Sequence, residues 1–226
     1  MNAKHLPLNL NILLFGHPGT GKTETVMQLA KATNREVMKI DISSTKSKWF
    51  GDSEKIIKRI FDRYHSYAET CEYAPILLFN EADAILSKRN SNTNSSTNQT
   101  ENAIQNILLE ELENFKGIFI ATTNLASNLD SAFERRFLFK LKFNKPELKE
   151  RVSILADKIP GFDQNDYLQL ANFHDFTGSE IENITRKIEI NDILGKPIDS
   201  IDSILELCQN EILNMKKDRN IGFTKS

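Results

Sequence analysis

The residues with the most chemistry in the shortest span are Gly16, His17, Pro18, Gly19, Thr20, Gly21, Lys22 and Thr23. They satisfy the pattern G-x-x-x-x-G-K-[ST] in full, between an apolar run (NILLF, 11–15) and a helical stretch, KTETVMQLAKA. Glycines let backbone N–H groups turn inward around phosphate oxygens, and the N-terminus of the following helix adds its positive dipole end. Lys22 offers a point charge to the outer phosphates, and the Thr23 hydroxyl offers a ligand to Mg2+. Glu24 joins these residues in the expected nucleotide-binding set.

A second group closes the apolar run Ile76-Leu77-Leu78-Phe79 with the polar pair Asn80-Glu81. In open α/β sheets ligands lie at the carboxyl ends of the strands, where this pair falls. The pair has the position and shape of a Walker B motif, with Asn80 on the metal side where an aspartate is usual. Glu81 takes the place of the carboxylate that polarises an attacking water. The simpler alternative is a polar pair capping a strand end. Asn80 removes one negative charge near the metal. At ~5 Å and an effective dielectric of about 20 that charge is worth roughly 3 kcal/mol before screening. Magnesium is therefore expected to bind weakly, and Asn80→Asp to lower the magnesium required.

The elements that must position these groups alternate. Residues 11–15, 36–42, 75–80, 117–122 and 138–143 read as strands, and the first, third and fourth are apolar enough to be buried on both faces of a parallel sheet. Residues 53–69 and 101–115 carry apolar side chains at helical spacing. Strand and helix in alternation predict an α/β fold with right-handed crossovers. After Lys145-Pro146 only helices are expected, near 146–158, 164–173, 179–193 and 199–217. The predicted division is a nucleotide-binding domain over 1–145 and a helical lid over 146–226. Residues 90–100, NSNTNSSTNQT, read as a polar surface loop.

Composition narrows the classes. Hydrophobic residues make up 39% and charged residues 27%, within the ordinary globular range. A net charge of -2 argues for neither nucleic acid nor membrane as an obligatory partner. No apolar run is long enough to span a membrane. Two distant cysteines, Cys71 and Cys208, fit a reduced, cytoplasmic setting.

Further motifs follow in a fixed order: Ala121-Thr122-Thr123-Asn124, then Asp130-Ser131-Ala132-Phe133-Glu134-Arg135-Arg136-Phe137, then Phe176-Thr177-Gly178-Ser179-Glu180-Ile181. Together with the two phosphate-site motifs they make the chain resemble an AAA+ ATPase. Within that group it is similar to the classical AAA branch that includes katanin, spastin and related bacterial proteins. The resemblance runs from Asn11 to about Thr185.

The resemblance implies a five-stranded parallel sheet in the order 5-1-4-3-2 with a small C-terminal helical lid. It implies that Asn124 is sensor 1 and holds the attacking water with Glu81. Arg135 and Arg136 would reach into a neighbouring subunit's site, for which a charged, bidentate guanidinium is suited. An intrachain ion pair is the plainer alternative for these arginines. Gly178 and Ser179 would pack near adenine and ribose in the sensor 2 region, which lacks an arginine here. Lys48-Trp49-Phe50-Gly51 resembles a first pore loop, in which Trp49, Phe50 and Gly51 grip a threaded polypeptide. The alternative for such an aromatic pair is the core. The polar segment 90–100 falls where the second pore loop would be.

The implied activity is binding and hydrolysis of ATP with Mg2+ in a ring, a hexamer, that remodels or unfolds a protein substrate. Family members carry sequence upstream of the first strand, so the chain is expected to be a module of a larger protein or a shortened relative. Two other readings stay open: an ATP-switched assembly module with little turnover, favoured by Asn80, and a nucleic-acid remodelling ATPase, disfavoured by the charge.

Overall fold

The structure is a computed structural model and describes residues 9–42, 53–88, 96–124 and 129–217. Five strands, β1 (Asn9–Gly16), β2 (Val37–Asp41), β3 (Ile76–Asn80), β4 (Gly117–Thr123) and β5 (Phe139–Phe143), form one sheet. The sheet is parallel throughout, in the order β2-β3-β4-β1-β5, which is the order that the resemblance implies. Its helices are α1 (Lys22–Ala32), α2 (Ser53–Ala68), α3 (Asp83–Leu86), α4 (Ser96–Asn114) and α5 (Ser131–Glu134).

Strand periodicity builds a core on each face of the sheet. Leu13, Leu77, Phe79, Phe119 and Ala121 point to one side, among Ile57, Phe61 and Tyr64 of α2 and Ile104, Leu108 and Leu112 of α4. Leu14, Ile76, Leu78 and Ile120 point to the other, against Val26 and Ala30 of α1. The central β3 is buried at all five positions, whereas β5, at one edge, exposes four of its five residues. Lys140 and Lys142 on that edge discourage pairing with a further strand.

The chain divides into two compact units. The first runs to Phe143 except for Pro18–Gly21; the second comprises Pro18–Gly21 and the chain from Asn144 onward. In the second, α6 (Leu148–Lys158), α7 (Gln164–Phe173), α8 (Gly178–Ile193) and α9 (Ile201–Lys217) enclose a separate core that includes Leu155, Leu170, Phe176, Ile181, Ile184 and Ile204. Three of these helices begin with reciprocal caps, Glu147 with Glu150, Asp163 with Asp166 and Thr177 with Glu180, each satisfying at least two N–H groups.

The polar segment differs from its expectation in part. Residues 96–100 belong to α4, and residues 90–95 lie outside the described residues. Ser, Thr and Asn are favoured at helix starts, so a polar composition alone does not separate a loop from a helix's first turns. Among the described residues no helix is long and apolar enough to cross a membrane.

Candidate active site

The carboxyl end of the sheet carries a continuous line of hydrogen bonds. Thr23, in the first turn of α1, donates its hydroxyl to Asn80 Oδ1 at 2.6 Å. Thr122, near the end of β4, donates to the same oxygen at 3.1 Å. Thr122 Oγ1 in turn accepts the backbone N–H of Glu81 at 3.0 Å. On the other side of the amide, Asn80 Nδ2 donates to Asp41 Oδ1 at 2.9 Å. Asn80 is buried, so this full set of partners is what its side chain needs.

Glu81 leaves the strand with φ of 53°, a left-handed conformation uncommon outside glycine. That turn ends β3 and leaves Glu81 exposed at the strand edge. Non-glycine residues in this region cost free energy and cluster at functional sites. Asp83 follows at the start of α3. Its Oδ1 accepts the Thr123 hydroxyl and, at 2.8 Å, the backbone N–H of Asn124. The exposed Asn124 is thereby fixed to the same strand end as Glu81.

Lys22 is buried, and its Nζ donates to the carbonyls of Gly16 at 3.0 Å and His17 at 2.7 Å. Burial lowers its pKa below the ordinary lysine value, with Asp83 and then Glu81 pulling it back up. Gly16 has φ of +141°, and a Cβ there would meet the Phe143 carbonyl oxygen at 2.0 Å. No other residue fits. The exposed Glu24 accepts a hydrogen bond from Gln28 at 2.6 Å.

Within the second unit, Gly19 (φ +73°) lies against Ser179, whose N–H donates to the Gly19 carbonyl at 3.2 Å. A Cβ on Gly19 would meet Ser179 Oγ at 2.0 Å, so Gly178 and Ser179 stand directly beside Pro18–Gly21. Gly21 (φ +88°) has open space where a Cβ would go, and with Thr20 it completes the loop.

The two arginines differ. Arg135 is exposed at the C-cap of α5. Arg136 pairs with Glu113 at 2.8 Å, and its carbonyl accepts from the buried Asn11 amide at 3.2 Å. Trp49, Phe50 and Gly51 lie outside the described residues.

Lys22, Thr23, Asn80 and Glu81 suit a nucleoside triphosphate with Mg2+. Magnesium is commonly held by one or two protein groups and the substrate's own phosphates, and Thr23 and Asn80 present two oxygens at one point. Sequence reasoning missed Thr122, Asp83 and Asp41 as parts of the site. A carboxylate two positions beyond Glu81 was the available signal for Asp83; the contacts of Thr122 and Asp41 depend on strand register.

Comparison with known proteins gives the family and the fold. The pattern of the ATPase family associated with various cellular activities (AAA) matches residues 12–145. The chain belongs to the AAA family. This AAA chain is 32% identical over 187 residues to fidgetin-like protein 1 of Drosophila melanogaster, covering 77% of the chain and 34% of that protein. It is 29% identical over 185 residues to cell division protein C of Sulfolobus acidocaldarius (79% and 49%), and 28% identical over 208 residues to human vacuolar protein sorting-associated protein 4A (85% and 43%). The AAA chain thus spans between a third and a half of these relatives. Its fold is that of a chain in the E. coli MS115-1 HORMA:CdnC:Trip13 complex, with a TM-score of 0.71 at 21% identity, covering 88% of this chain and 73% of that one. The FIGL-1 AAA domain solved with ADP gives 0.67 at 21% identity, covering 95% and 79%.

Proposed function

We propose that this AAA module binds Mg2+ and ATP, hydrolyses the nucleotide in a ring of subunits, a hexamer, and uses the cycle to remodel or unfold a protein. What supports this most is the bonded line Thr23–Asn80–Thr122–Glu81, which brings a metal-facing hydroxyl, an amide oxygen and a base to one strand end. Mg2+, when bound, neutralises charge developing on the transferred phosphoryl group. Thr23 and Asn80 would hold it. Lys22 exchanges its two carbonyl partners for phosphate oxygens, with residues 16–21 and Glu24 around them. Glu81 takes the proton of the attacking water, and Asn124, held by Asp83, orients that water.

Arg135 and Arg136 act across a subunit boundary in this reading. The Arg136–Glu113 pair is exposed and worth less than about 1 kcal/mol, so it is readily exchanged for a phosphate. Trp49, Phe50 and Gly51 form the pore loop that grips the substrate. Residues 1–145 are the nucleotide-binding domain and 146–226 the lid, with Gly178 and Ser179 near the nucleoside. The setting is cytoplasmic.

Mixing two inactive variants tests the shared site. Arg135→Ala and Glu81→Gln are each expected to turn over at least about a hundredfold more slowly than wild type. Their mixture should exceed both, because some interfaces regain an intact base and an intact arginine. No recovery at any ratio would remove the shared site. A second reading, an assembly switch without turnover, is favoured by Asn80. It predicts that Mg2+ and ATP change the particle size while no phosphate is released.

A further inference from the structure

Asp41 ends β2 directly beside Asn80, its registered partner at the end of the parallel neighbour β3. The contact between them, 2.9 Å from Asn80 Nδ2 to Asp41 Oδ1, decides how the asparagine faces the rest of the site. A primary amide can present either its oxygen or its nitrogen to a neighbour. The hydroxyls of Thr23 and Thr122 donate or accept equally well, so they leave that choice open. A carboxylate only accepts. Asp41 therefore holds the nitrogen on its own side and turns Oδ1 toward Thr23 and Thr122.

We infer that Asp41 is the positioning residue of the metal side of this site. It orients the Asn80 carbonyl toward Thr23, and it returns to the strand ends the negative charge that asparagine lacks. The inference rests on the Mg2+–nucleotide reading given above. Lys39 approaches the same Asp41 oxygen at 3.2 Å, but both side chains are nearly half exposed, and such a pair binds weakly. β2 carries the acceptor, Asp41, and β3 the donor, Asn80, and the same hydrogen bond can be made with the two residues exchanged.

This arrangement reverses the expectation for Asn80→Asp. Substituted alone, it would set two carboxylates against each other where one hydrogen bond now stands. Like charges at that separation repel, and the amide donor is lost. The exchange Asp41→Asn with Asn80→Asp keeps the charge, the donor and the acceptor.

The test measures, for the full chain, the magnesium concentration that half-saturates the ATP-dependent rise in melting temperature, with ATP in EDTA as the metal-free control. Removing a group that orients a metal ligand commonly weakens the metal about 10- to 100-fold. Asp41→Ala should raise the magnesium midpoint at least about tenfold and leave the response in EDTA within about twofold. Asn80→Asp alone should also raise the midpoint, and the double exchange should return it to within about threefold of wild type. Melting temperatures without nucleotide show whether each variant folds. If Asp41→Ala is unfolded, the comparison of Asn80→Asp with the double exchange decides. An unchanged midpoint in folded Asp41→Ala, or Asn80→Asp alone lowering the midpoint with no gain from the exchange, overturns the inference. A wild type with no ATP-dependent rise at any magnesium concentration removes the nucleotide reading, and the Asp41 role with it.

Discussion

Lys22 is buried with its ammonium on two loop carbonyls. Those bonds keep the charge at the loop, and in the proposed function phosphate oxygens would replace them. A ligand at 100 times its dissociation constant stabilises a protein by about 2.7 kcal/mol. In Lys22→Ala that stabilisation by Mg2+ and ATP is expected to vanish, as measured by the nucleotide-dependent melting shift. A normal shift in the variant would place the phosphates elsewhere. Lys22, Thr23, Asn80 and Glu81 were legible in the sequence because each sits at a fixed spacing within a local motif. Asp41 and Thr122 were not, since they meet Asn80 only through strand neighbours 39 and 42 residues away. The left-handed backbone of Glu81 also left no trace, as nothing in a glutamate announces a positive φ.

The elements were legible where periodicity was long and apolar. β1, β3 and β4 follow their apolar runs, and the helices of the second unit fall within two residues of their predicted bounds. The one-turn helices α3 and α5 were missed because four residues carry too little pattern to separate them from turns. The start of α4 was hidden by its polar composition. In the second unit, α9 carries Cys208, which is buried and whose thiol burial pushes up to about 11 from an ordinary 9.0. The native state therefore holds that proton more tightly than the unfolded chain. Its contribution to stability is complete below about pH 9 and is lost as pH rises through 11. A thiol reagent at neutral pH is expected to label the part-exposed Cys71 in the native protein and Cys208 only as the helical core opens. Equal labelling rates would show that α9 does not stay packed on that core.

Across the sheet, the carboxyl ends of the parallel strands bring Asp41, Asn80, Glu81 and Thr122 together. Arg135 stands exposed, and the Arg136 guanidinium pairs at the surface with Glu113, while the Arg136 backbone bonds to Phe133 and Asn11. If these arginines complete a neighbour's site, one subunit alone hydrolyses poorly and assembly becomes part of catalysis. Phosphate release per subunit, measured across protein concentration in wild type and Glu81→Gln, tests this most directly. A base contributes about 10²–10⁴-fold to such a step. The rate per wild-type subunit should climb with concentration to a plateau, while Glu81→Gln stays at least about a hundredfold below that plateau at every concentration. A wild-type rate that does not change on dilution, or that equals the rate of Glu81→Gln, would contradict an ATPase built from shared sites.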